Sequence, residues 1–130
     1  ELDARMEEAD RSILENRVMT TDQYKGKDAE ELKKMVRFIA QKAYREGVVL
    51  KVNITSSAWK TESVVEWTDT TQTALRHRTT DFLYAQVAVK VGGEVVLCTV
   101  YLNKDKIGGK ENPLTGHIMY KDRLLEKNIR

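Results

Sequence analysis

The side chains able to do chemistry here are few, and their spacing limits what they can do. His77 and His117 lie far apart, with no cysteine or carboxylate at metal-ligand spacing beside either, whereas a zinc site needs convergent nitrogen and sulfur ligands. Arg76 and Arg78 flank His77, a basic run that suits an exposed loop. Cys98 is the only cysteine, so an intrachain disulfide is impossible; set among Val96, Leu97 and Val100, it reads as a small core residue. Glu66, Asp69 and Asp81 fall close in sequence, and carboxylates that converge can do acid-base or two-metal work. Strand ends explain them more simply. Gly92-Gly93 and Gly108-Gly109 adjoin strand patterns instead of opening a helix, so neither is a phosphate cradle, and no G-x-S-x-G occurs. The sequence therefore assigns no catalytic residue, no metal ligand and no cofactor.

The elements that position these residues centre on one hairpin. Phe82 to Asn103 folds about Gly92-Gly93, a pair suited to a two-residue primed turn, where positive φ is needed. If Val91 faces Glu94, then Val89 meets Val96, Val87 meets Cys98, Ala85 meets Val100 and Leu83 meets Leu102 on one wholly apolar face. The other face pairs Lys90 with Val95, Ala88 with Leu97, Gln86 with Thr99 and Tyr84 with Tyr101, with Phe82 near Asn103. The first face must be buried against a helix, which leaves no room for chemistry inside. Phe82, Tyr84, Leu97 and Tyr101 on the second are rigid anchors of the type that make interface hot spots; coverage by the first helix or the C-terminal tail is the competing explanation.

Leu2, Met6, Ala9 and Ile13 form a thin apolar stripe on a polar helix over residues 1–18, either lying across the domain or continuing a coiled coil. Thr20 to Lys27 reads as a loop pivoting at Gly26. Asp28 and Glu31 predict a capping box. The helix that follows shows Leu32, Met35, Val36, Ile39, Ala40 and Ala43 on one face and stops at Gly47, a candidate left-handed cap. A first strand from Val48 turns Leu50, Val52 and Ile54 inward and Lys51, Asn53 and Thr55 outward; a second, from Glu62 to Thr68, is expected to pair with it as a hairpin. Asp69 to Thr80 reads as an exposed loop, Ile107 to Pro113 as a connector, and Thr115 to Tyr120 as the last strand. The tail from Lys121 to Arg130 reads as a short, weakly amphipathic helix.

At 130 residues the chain is one domain, with 28–130 as its core. A net charge of +2 from 22 basic and 20 acidic residues scattered along the chain gives no basic stripe, so direct nucleic-acid binding is not expected. No apolar run of about 18 residues or signal-peptide pattern occurs, so any membrane attachment would come from a segment outside this chain. The start, Glu-Leu-Asp within a helical pattern, is expected to be a cut through a longer protein.

The expected fold class is α+β: N-terminal helices packed on a curved antiparallel sheet of four to five strands, the order of the nuclear transport factor two-like cone. Within that class, Trp59 to Tyr120 resembles the VirB-eight-like scaffold proteins of conjugative type IV secretion channels. Val64-Val65-Glu66-Trp67-Thr68-Asp69-Thr70-Thr71 is similar to the family's apolar-x-Trp-Thr-Glu-Thr strand, Phe82 to Lys90 to its next strand, and Asn112-Pro113-Leu114 to its Asn-Pro-Leu-Gly turn, here one residue longer because Thr115 precedes Gly116. The resemblance implies a non-enzymatic assembly module at the extracytoplasmic face of the cell membrane, anchored upstream, contacting other channel proteins and itself, with Asn112, Pro113 and Leu114 as contact residues. Two alternatives stand beside it. One is a small-ligand or enzyme site on the same fold, lined by Tyr84, Tyr101, His77 and Asp69. The other is an RNase H-like transposase fragment built on Glu66, Asp69 and Asp81, although Asn53 occupies the first-strand position where an acid is required.

Overall fold

The computed structural model describes residues 11–67 and 74–130. The chain is α+β: one long helix lies on a curled antiparallel sheet. Helix α1 spans Ala29–Ala43. The strands are β1 Val48–Ile54, β2 Lys60–Trp67, β3 Leu75–Val91, β4 Glu94–Ile107, β5 Lys110–Glu111 and β6 Thr115–Leu124, followed by a 3-10 turn at Glu126–Asn128. The sheet has six strands, one more than the upper expectation, because the connector after β4 itself forms the two-residue β5.

The central hairpin has the register that its glycine turn dictates. Val91 faces Glu94, Val87 faces Cys98, Leu83 faces Leu102 and Tyr84 faces Tyr101. Gly92 alone of the pair takes positive φ, 62°, the pattern of a II′ turn. The apolar face is dry: Leu83, Ala85, Val87, Val89, Cys98, Val100 and Leu102 have no exposed surface, and they pack with Leu32, Val36 and Ala40 of α1. Each buried Val or Leu among them contributes roughly 1.5–3 kcal/mol, which makes this layer the main source of stability.

Close approach to that layer requires glycine at two other positions, 47 and 116. A Cβ on Gly47 would lie 2.7 Å from Val89 Cγ1. Gly47 does not have positive φ, so the chain needs a glycine there for space and not for a left-handed cap. On Gly116 a Cβ would lie 2.5 Å from Leu102 Cδ2 and 2.9 Å from Ile39 Cδ1; without a side chain there, α1 settles onto β6.

Several expectations are corrected. Strand β2 pairs with β3 and not with β1: β3 is 17 residues long, enough for β1 and β2 to lie end to end along the same edge, so the short link between them bridges two neighbours in line. The stretch Leu75–Thr80 is the first part of β3 and not a loop, with Arg76, His77 and Arg78 in extended backbone; Asp69 to Thr73 lie outside the described residues. A bulge between Val49 and Lys51 turns Leu50 to the opposite face, where it joins a second apolar cluster. The tail is not helical at first: β6 runs on to Leu124 before the 3-10 turn. Asp28 does occupy the N-cap position but makes no capping hydrogen bond. Its carboxylate accepts from the Tyr24 hydroxyl and, at 3.3 Å, from Trp59 Nε1, tying α1 to the segment on either side. Of the N-terminal stripe, Ile13 is exposed on a helical stretch at residues 11–16; Leu2, Met6 and Ala9 lie outside the described residues.

Candidate protein-contact surface

Alternation along β3 and β4 puts Phe82, Tyr84, Gln86 and Ala88, with Leu97, Thr99, Tyr101 and Asn103, on the face away from α1. Gln86 divides this outer face in two. On its turn-ward side, residues 17–20 and the tail cross the sheet: Met19, Ala88, Val95, Leu97 and Leu124 form a buried cluster, with Leu50 and Ile129 against it. The strap is held by backbone and amide hydrogen bonds, Met19 N–H to Asn128 O at 3.0 Å, Thr20 N–H to Gln86 Oε1 at 2.7 Å and Asn53 Nδ2 to Thr20 O at 2.9 Å. Asn53 points to the outer face as expected but is wholly buried beneath that strap. Leu97 is covered in the same way, 3% exposed, so it is not a surface anchor. Of the competing explanation, the C-terminal tail does cover Leu97 and Ala88, joined by Met19 of the segment after the first helix and not by that helix itself.

Beyond Gln86 the outer-face residues of β3 and β4 are only partly buried. Phe82, Tyr84 and Tyr101 are half-buried and touch one another: ring centroids are 6.0 Å apart for Phe82 and Tyr84, 5.8 Å for Phe82 and Tyr101 and 5.5 Å for Tyr84 and Tyr101. His117 extends the cluster from β6, 5.5 Å from the Tyr101 ring. Partial burial, with Tyr84, Asp105 and Glu62 nearby, pushes the Tyr101 phenol up from its ordinary range, so it remains a neutral donor. A polar cluster borders the rings on the side of the β3 N-terminus. Arg78 donates to Asp105 at 2.9 Å and Thr80 donates to the same carboxylate at 2.7 Å; further along the same face Arg76 pairs with Glu66 at 2.7 Å. The Thr80 hydrogen bond, reinforced by Arg78 against the effect of burial, holds Asp105 below the usual carboxylate range. An aromatic centre bordered by fixed polar groups is the arrangement of an interface hot spot.

Asn112, Pro113 and Leu114 are on the other side of the sheet. Asn112 and Pro113 are exposed, and the Asn112 N–H is tied to Asp105 O at 2.8 Å. Leu114 packs against the core and lines a groove of about 330 Å³ with Met35, Phe38, Ile39 and Lys42 of α1. The structure therefore does not gather the seven contact candidates into one patch. Phe38, 67% exposed, was not singled out in the sequence, where it lies outside the apolar face of α1.

The catalytic alternatives do not assemble. Glu66 shares the outer face with its partner Arg76, whereas Asp81 is on the α1 side, accepting from Thr61 at 2.6 Å. Five strand residues separate their levels, about 17 Å; Asp69 lies outside the described residues. His77 is also on the α1 side, away from Tyr84, Tyr101 and His117. Among the described residues no group of three or more His, Cys, Asp or Glu could hold a metal ion. Facing α1 the sheet's buried side chains are apolar, and burial pushes the Cys98 thiol up despite the nearby Lys121 charge.

Compared with known proteins, the chain matches no family model, no curated protein and no solved structure.

Proposed function

We propose that this domain is a non-enzymatic assembly module that works by protein-protein contact through Phe82, Tyr84 and Tyr101. The observation that carries this role is the uncovered half of the outer face. Three mutually touching rings are only partly buried there, beside a fixed polar cluster, while the other half is sealed by the chain's own strap. Aromatic rings deliver large contact area with little conformational entropy to lose, which is why they dominate interface energetics. The apolar interior against α1 favours binding over catalysis, because a cone enzyme needs an ionisable group facing inward.

Within that role, the finer reading is a nuclear transport factor two-like cone serving as a scaffold in a conjugative type IV secretion channel. The likeness of Val64 to Thr71, Phe82 to Lys90 and Asn112 to Leu114 to the VirB-eight-like proteins supports it, as does the order of helix and curled sheet. The domain would then work outside the membrane, held by a segment not in this chain, with other channel proteins and further copies of itself as partners. Asn112, Pro113 and Leu114 would form a second contact region beside the groove of Phe38.

A two-protein pull-down with the products of neighbouring genes tests the role. Tyr84→Ala is expected to weaken capture at least tenfold with the fold intact, and Asn112→Ala to weaken it separately. Wild-type capture by both variants would remove the assignment. The parent reading frame tests the finer reading: a span of about 20 apolar residues upstream is expected, and a DNA-binding domain in its place would favour the transposase alternative.

A further inference from the structure

Strand β2 presents a long open edge. Its eight residues pair with β3 on one side only, and no described strand lies on the other. Proteins that keep such edges solitary shorten them, bend them with a bulge, break them with proline or set charges along them. Of these devices β2 has only the charges of Lys60, Glu62 and Glu66: the β2–β3 register is continuous from Lys60 to Trp67, and all but Glu66 of the strand is exposed, including Val64, Val65 and Trp67.

The charges on this edge complement themselves. Lys60, Glu62 and Glu66 share the outer face with Val64. If two copies of β2 run antiparallel with Ser63 opposite Ser63, Lys60 of each copy faces Glu66 of the other, so two opposite-charge pairs form at once. Thr61 then faces Val65 of the second copy, twice. Sliding one step either way sets Glu62 against Glu62, or Glu62 against Glu66 twice, and like charges directly opposite are unfavourable. Among the two-fold registers centred on Glu62, Ser63 and Val64, only the one at Ser63 is free of directly opposed like charges.

We propose that β2 pairs antiparallel with β2 of a second copy of this chain about a two-fold axis at Ser63, joining the two sheets into one. The contact is isologous, so it closes at a dimer and does not propagate. Backbone hydrogen bonds along the edge supply attachment, as in strand-addition complexes, and the paired charges supply register. It leaves the aromatic face of both copies open, and stands apart from the role proposed for that face.

Cysteine crosslinking of the intact chain reads the register. Directly opposite residues in antiparallel strands have Cα atoms about 4.5–5.5 Å apart, within disulfide range, whereas diagonal neighbours at about 7–8 Å fall outside it. With copper-phenanthroline as oxidant, Ser63→Cys is expected to give a covalent dimer on a non-reducing gel and Val64→Cys to remain monomeric; buried Cys98 gives no background. By sedimentation equilibrium the unmodified chain is expected to dimerise, with Lys60→Glu raising the dissociation constant about tenfold and Tyr84→Ala leaving it unchanged. A monomer at every concentration tested, or crosslinking of Val64→Cys as efficient as that of Ser63→Cys, would overturn the proposal.

Discussion

Tyr84 and Tyr101 stand directly opposite each other on β3 and β4, ring centroids 5.5 Å apart and planes inclined at 54°. They sit one pairing step beyond the point where the chain's own strap ends at Gln86. The pair is thus supported from beneath by the apolar layer and only partly buried on its outer side. Aromatic pairs add about 0.5–1.5 kcal/mol beyond the area they bury, too little to make these rings essential for folding.

Leu83 is the contrasting neighbour. It is fully buried on the α1 face, opposite Leu102, and Leu83→Ala is expected to destabilise the domain by about 2–5 kcal/mol. Urea unfolding followed by tryptophan fluorescence checks this. A loss below about 1 kcal/mol would mean that the layer between sheet and helix is not the principal core.

Gly116→Ala tests how closely α1 is seated on β6. The added methyl would meet Leu102, Ile39 and, at 3.1 Å, the Tyr101 carbonyl oxygen; of these the backbone cannot rotate away. A loss of about 1–3 kcal/mol is expected, the range for overpacking. Ile39→Ala in the same chain should relieve part of the strain, so the two losses are predicted to be less than additive.

Asp22 gives the domain an acid limb. Burial alone would raise its carboxyl, but hydrogen bonds from Lys33 at 2.9 Å and the Ile54 N–H at 2.7 Å, with the Lys33 and Lys25 charges, outweigh burial and hold it below its ordinary 3.8. A carboxyl depressed on folding binds fewer protons in the folded state, so its stabilisation is present above the unfolded value and lost as pH falls through the folded one. Stability measured from pH 5 downward is expected to fall less steeply in Asp22→Asn than in the parent chain. Parallel curves would assign the acid limb to Asp28 and Asp105, which are also depressed.

How much of this was legible in the sequence depended on how local the cause was. Gly92-Gly93 and the alternation around it set the whole β3–β4 register, because a two-residue turn leaves no freedom in pairing parity. The Leu32, Val36 and Ala40 face of α1 was equally plain from its period. By contrast, the partner of β2 depended on the length of β3, and the start of β3 was hidden among threonines and basic residues that read as loop. Thr79 and Thr80 are β-branched, and Arg76 and Arg78 alternate with His77, which was the available sign. The positions of Asp28 and Leu97 depended on contacts with Trp59, Met19 and Leu124, distant in sequence and outside any local pattern. The site was therefore half legible: the aromatic pair was visible, and the strap that defines its boundary was not.

Hydroxyl-radical labelling, read residue by residue on the purified domain and on the same protein in its native assembly, tests the contact role of the aromatic face most directly. Tyr84 and Tyr101 are expected to be labelled in the isolated domain and protected at least severalfold in the assembly. Met119, exposed on an edge strand, provides the internal reference. Equal labelling of both tyrosines in the two states, with the reference unchanged, would contradict it.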